Sequence, residues 1–115
     1  MKKHTISFLN AFKGIWTALI TQSNLRFHFL AASLVVMAAL YLQIPMLEII
    51  ILIMTICLVM VTEMVNTSLE FMSDAITLEY SEKIKHAKDV SAGAVLISAF
   101  FSVLVGLMIF APKLI

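Results

Sequence analysis

The chain has 115 residues, 62% of them hydrophobic and 13% charged, with a mean hydropathy of +1.04. A soluble domain carries about a quarter charged residues, so the composition excludes an ordinary soluble fold and points to an all-α integral membrane protein of one domain. The net charge of +1 decides little, because the placement of the charges matters more than their sum. The single cysteine, Cys57, lies mid-span and rules out an intrachain disulfide. It is expected to be a small buried residue. No cleavable signal, internal repeat or flexible linker is evident.

Residues 5–22 read as an amphipathic surface helix. Phe8, Phe12, Ile15, Trp16 and Leu19 recur at helical spacing, with Asn10, Lys13, Thr17 and Thr21 opposite. Trp16 together with Lys2, Lys3 and Lys13 suits a helix lying among lipid headgroups. A first span is expected over residues 27–44, with Arg26 at its start and His28 one turn inside. Pro45 closes that run, since a proline disfavours helix at the residue before it. His28 reads as a packed polar residue rather than a ligand.

The second span is expected over 47–74, longer than a bilayer requires, so its last two turns should emerge toward water. Residues 75–89 are strongly polar and read as a loop before a third span over 90–110. Small residues Ser91, Ala92, Gly93, Ala94, Ser98 and Gly106 allow close helix packing there, and Pro112 and Lys113 end the run. Lys2, Lys3, Lys13 and Arg26 precede the first span, and Lys83, Lys85 and Lys88 lie between the second and third. The positive-inside rule therefore puts the N-terminus and the 75–89 stretch in the cytoplasm.

The chemistry lies in residues 61–74. At about 100° per residue, Glu63, Asn66, Thr67, Glu70 and Asp74 share one face of the helix. A polar stripe on a membrane-length helix faces a partner, a cavity or an ion rather than lipid. Carboxylate oxygens of this kind suit Mg²⁺, which is held by one or two carboxylates plus phosphate oxygens. Lys88, beside Asp89, supplies a positive charge at similar depth. Carboxylates, a divalent ion and a lysine are the parts of a phosphoryl-transfer site, and a carboxylate near a hydroxyl can act as general base. Gly14, Gly93 and Gly106 are the only glycines, so there is no Walker loop or dinucleotide turn. From residue types alone two further readings stay open: an ion-conducting oligomer using Glu63 and Glu70 as a relay, and a structural membrane subunit.

The segment Glu63-x-x-Asn66-Thr67-x-x-Glu70-x-x-x-Asp74, then Glu79-Tyr80 and Ala87-Lys88-Asp89-Val90-x-Ala92-Gly93-Ala94, resembles the prokaryotic diacylglycerol kinase family. The likeness extends upstream to Ala11-Phe12-Lys13-Gly14 and Arg26, nearly the whole chain. It implies a homotrimeric membrane kinase with a surface helix and three spans per subunit, phosphorylating a lipid alcohol with MgATP at composite sites. The Leu25-Arg26-Phe27-His28 and Phe110-Ala111-Pro112-Lys113-Leu114 runs are more similar to the undecaprenol branch than to the diacylglycerol branch. By the same resemblance, Glu70 is general base and metal carboxylate, and Asn66, Glu63, Asp74 and Arg26 meet the lipid. Lys88, Asp89, Glu79, Glu82, His86 and Lys13 meet the nucleotide. The family places a Glu four residues before Arg26 as a second metal ligand, and this chain has Gln22 there. Gln keeps an oxygen but not the charge.

Overall fold

The structure is a computed structural model that describes residues 7–115. Lys2, Lys3 and the expected first turn of the surface helix, at residues 5 and 6, lie outside the described residues. Four helices account for nearly all of it: α1 Phe8–Thr21, α2 Ser23–Tyr41, α3 Met46–Ile76 and α4 Glu82–Leu114. The last three are long and apolar enough to cross a membrane.

Helix α1 starts at Ser7, whose hydroxyl accepts from the Asn10 N–H and so satisfies a donor that the first turn leaves open. It ends at Gln22, a single extended residue (φ −116°, ψ 106°) that caps α1 and begins α2. The expected gap before the first span is therefore absent, and α2 begins four residues earlier than the apolar run. Arg26 fastens the corner by donating to the Leu19 carbonyl at 2.6 Å. At the far end α2 stops at Tyr41 instead of running to Ile44. Gln43 takes φ 54°, which no helix interior tolerates, and Pro45 then precedes α3.

The polar stretch after α3 is shorter as a loop than its composition suggests. Only residues 77–81 are non-helical, and Glu82–Asp89 form the first two turns of α4. Three local interactions explain this. Ser81 caps Ile84 N–H, Glu82 sits in the first turn where the helix dipole favours an anion, and Lys85 pairs with Asp89 one turn on at 2.7 Å. Pro112 lies within the last turn of α4 rather than ending it, and the helix continues to Leu114.

The most extensive packing is between α3 and α4, followed by α2 against α3. Ala39, Ile44, Ile49, Leu52 and Ile109 form a small apolar cluster at the end opposite the polar stripe. Toward the middle, Thr62 and Ser98 join α3 to α4 through their hydroxyls at 2.9 Å, and Ser98 is buried. No large side chain is fully buried among the described residues, and Phe27, Leu30, Met54, Phe100 and Leu107 stand on the outside. Cys57 is also exposed, contrary to the sequence expectation, because it lies on the outward face of α3. A β-carbon added at Gly14, Gly93 or Gly106 would meet nothing within 4 Å, so packing within one chain does not require these glycines.

Hydroxyl bonds between membrane helices contribute about 0.6 kcal/mol, so Ser98→Ala should weaken the α3–α4 contact by about that amount. Ser98→Leu should cost more, because it adds bulk at a closed seam. Cooperative unfolding in mixed micelles titrated with a denaturing detergent measures both.

Candidate functional site

The stripe on α3 runs from inside to outside as the helix rises. Glu63 and Thr67 are buried, Asn66 and Glu70 are half-buried, and Asp74 is exposed. The Thr67 hydroxyl donates back to the Glu63 carbonyl at 2.9 Å, which keeps it within the helix. The carboxylates do not gather into one cluster. Among the described residues, no group of three His, Cys, Asp or Glu side chains is arranged to hold a metal ion. Each acid of the stripe has a different relationship to its neighbours.

Glu63 is met by His28, which reaches across from α2 with Nδ1 against Oε2. By sequence His28 reads as packing, because a lone histidine in an apolar run gives no sign of what faces it. Asp74 is met by Lys88 of α4, Nζ to Oδ1 at 3.1 Å. This contact joins the Ala87-Lys88-Asp89 element to the stripe, two motifs fourteen residues apart in the chain. Glu70 lies between these pairs and has no ion-pair or hydrogen-bond partner among the described residues.

On the exposed start of α4, Asp89 accepts from Lys85 Nζ at 2.7 Å. That hydrogen bond and the lysine's charge hold the Asp89 carboxyl below the usual carboxylate range, so it is ionised at neutral pH. Asp89 lies on the polar turns ahead of the apolar part of α4. By sequence Lys85 counts only toward the orientation of the spans, although its i, i+4 spacing to Asp89 on a helix is the signal of this pair. Glu82 accepts from the Tyr80 hydroxyl at 3.0 Å and lies 3.9 Å from His86 Nε2. Glu79 sits in the connecting loop, its backbone N–H bonded to the Thr77 hydroxyl at 3.0 Å. Glu79, Glu82, His86 and Asp89 are therefore all exposed at one end of the α3–α4 pair.

Gln22 is at the α1–α2 corner. Its side-chain Nε2 is within 3.4 Å of the Thr21 hydroxyl, which leaves its carbonyl oxygen uncommitted. Lys13 is exposed on α1 without an ion-pair partner among the described residues. Arg26 spends one guanidinium nitrogen on the corner itself. One chain thus provides a free carboxylate, a free amide oxygen and a lysine held against an aspartate. Any ion held here would need further oxygens from outside the chain, since no group of three such side chains gathers among the described residues.

Comparison with known proteins identifies the family. An undecaprenol kinase of Bacillus subtilis is 37% identical over 108 residues, covering 94% of this chain and 88% of that protein. A diacylglycerol kinase of Synechocystis is 39% identical over 110 residues, and this chain spans 63% of that longer protein. The diacylglycerol kinase of Escherichia coli K12 is 33% identical over 94 residues, covering 82% of this chain and 77% of that protein. Residues 9–110 match the family described as prokaryotic diacylglycerol kinase. The chain belongs to the prokaryotic diacylglycerol kinase family.

Proposed function

We propose that this protein transfers the γ-phosphoryl group of ATP to the hydroxyl of undecaprenol, working as a homotrimer in a bacterial inner membrane with its N-terminus in the cytoplasm. Its membership of a lipid-kinase family makes it an ATP-dependent lipid kinase. The observation that carries the site assignment is the Lys88–Asp74 contact, which unites the two polar motifs around the unpaired Glu70. Undecaprenol is favoured as acceptor by the likeness to the Bacillus subtilis enzyme, which extends over most of both chains. Diacylglycerol is the second reading, supported by the 39% identity to the Synechocystis kinase.

In this reading Glu70 takes the proton from the acceptor hydroxyl and contributes an oxygen to Mg²⁺, with Gln22 offering another. Glu70 and Gln22 would hold such an ion, whose chemistry there would be to offset charge on the transferring phosphate. Lys88 leaves or shares Asp74 to meet the nucleotide phosphates, while Asp89, Glu79, Glu82, His86 and Lys13 surround the rest of the nucleotide. Glu63, Asn66, Asp74 and Arg26 receive the lipid end. The trimer is supported by the exposed apolar faces of α2, α3 and α4 and by the three glycines, which no neighbour within the chain approaches. The cytoplasmic orientation is supported by Lys13, Arg26, Lys83, Lys85 and Lys88, which all belong to the same end of the spans.

Purified protein should label undecaprenol faster than diacylglycerol when the two are offered side by side with radiolabelled ATP. The opposite order would assign it to diacylglycerol. Glu70→Ala and Lys88→Ala should each lower kcat by about 10²- to 10³-fold, the usual cost of a charged group acting on the transition state, without loss of membrane insertion. Chelation should abolish turnover and added Mg²⁺ should restore it. Gln22→Glu should reduce the Mg²⁺ concentration needed for half-maximal rate, because it adds a charge to the oxygen already present.

A further inference from the structure

We infer that His28 is a positioning residue for the acceptor end of the site: its imidazole fixes the Glu63 carboxylate where the lipid hydroxyl arrives. The inference rests on the reading above that Glu63 and Asn66 meet a lipid alcohol, and it adds a residue and a role to that reading. Glu63 is the one buried carboxylate among the described residues, with 8% of its surface exposed. A carboxyl group so placed needs a polar partner close by. His28 supplies the facing group: its Nδ1 lies against Glu63 Oε2, and an Nδ1–H at that place would donate to the carboxylate oxygen. Both facing atoms are shielded from solvent, and no hydrogen bond to any other group draws either of them away from this contact. The contact spans two helices, so it also sets the rotation of α2 against α3 at this level.

Two neighbouring features show what the pair is oriented toward. One turn along α3, Asn66 Oδ1 is buried with no hydrogen-bond partner, an acceptor awaiting a donor. A lipid hydroxyl carries one such donor. On its other side His28 borders an apolar groove of about 430 Å³ between α2, α3 and α4, lined by Phe27, Ala31, Val35, Leu52 and Val59 among others. Thr55 and Ser102 in the groove spend their hydroxyls on the Leu52 and Ala99 carbonyls, so they offer little to a ligand. His28 therefore stands where apolar lining gives way to the polar stripe, the boundary that an alcohol with a long apolar chain has within itself.

The test compares His28→Ala, His28→Asn and His28→Gln with wild type in undecaprenol phosphorylation. The Asn amide nitrogen occupies nearly the place of Nδ1, whereas the Gln amide reaches one bond farther. Misplacement of a reacting group by an ångström costs up to about 10²-fold, so His28→Ala should lower kcat by about ten- to a hundred-fold with the KM for ATP unchanged. His28→Asn should recover most of that loss and His28→Gln should not. Wild-type kcat in His28→Ala overturns the inference, as do Asn and Gln variants equally impaired. Independently of activity, the ¹⁵N spectrum of His28 in bilayers should show the Nδ1-protonated ring, and Glu63→Gln should change it. A ring signal indifferent to Glu63→Gln overturns the pairing. Full activity in Glu63→Gln would instead overturn the acceptor reading on which the inference stands.

Discussion

A carboxyl side chain on a membrane-length helix must be answered by a polar partner, and the packing of this protein follows from where those partners come. Glu63 is answered from α2 by His28, and Asp74 is answered from α4 by Lys88. These two contacts lie on the same helix about 16 Å apart along its axis, from eleven residues at about 1.5 Å each. Between them the apolar residues need only be close enough to exclude lipid. The small apolar cluster at the other end, around Leu52 and Ile109, closes the bundle where no charge has to be satisfied.

Glu70 is exceptional within this scheme. It lies on the same face as its neighbours, half-buried, yet no cation of the described chain reaches it. Burying a carboxylate this far without a partner is unfavourable, and natural structures accept that cost mainly where a ligand or a second chain completes the site. The corner at Gln22, with its uncommitted amide oxygen, supplies the same kind of incompleteness at the head of α2. Both vacancies in hydrogen bonding lie at the end of the molecule where the basic residues collect.

Much of this is legible in the residues themselves. The three apolar runs announce spans because a run of about 20 apolar residues has few alternatives. The stripe on α3 follows from periodicity alone. The boundaries were less legible, for identifiable reasons. Glu82–Asp89 reads as loop by polarity, but helix start signals and i, i+4 pairs outweigh polarity outside the bilayer. The α1–α2 corner was missed because a single extended residue leaves little mark on hydropathy. The place of His28 is not legible in the sequence, since it depends on Glu63, thirty-five residues away, and no local pattern encodes that meeting. Cys57 departs from its expected burial because burial preferences learned from water-soluble cores fail on a face directed outward from a single membrane subunit.

The short connection between α3 and α4 has a consequence for how the sequence can vary. Residues 77–81 are the only non-helical backbone between Asp74 and Lys88. One residue inserted within Glu82–Asp89 would turn Lys88 by about 100° and carry it off its aspartate, whereas the same insertion in the connection could bulge outward. The rigid helical segment acts as a gauge with a fixed tooth spacing, and the loop takes up the slack. Changes of length in this stretch are thus confined to five positions, while the register of α4 against α3 is inherited as a unit.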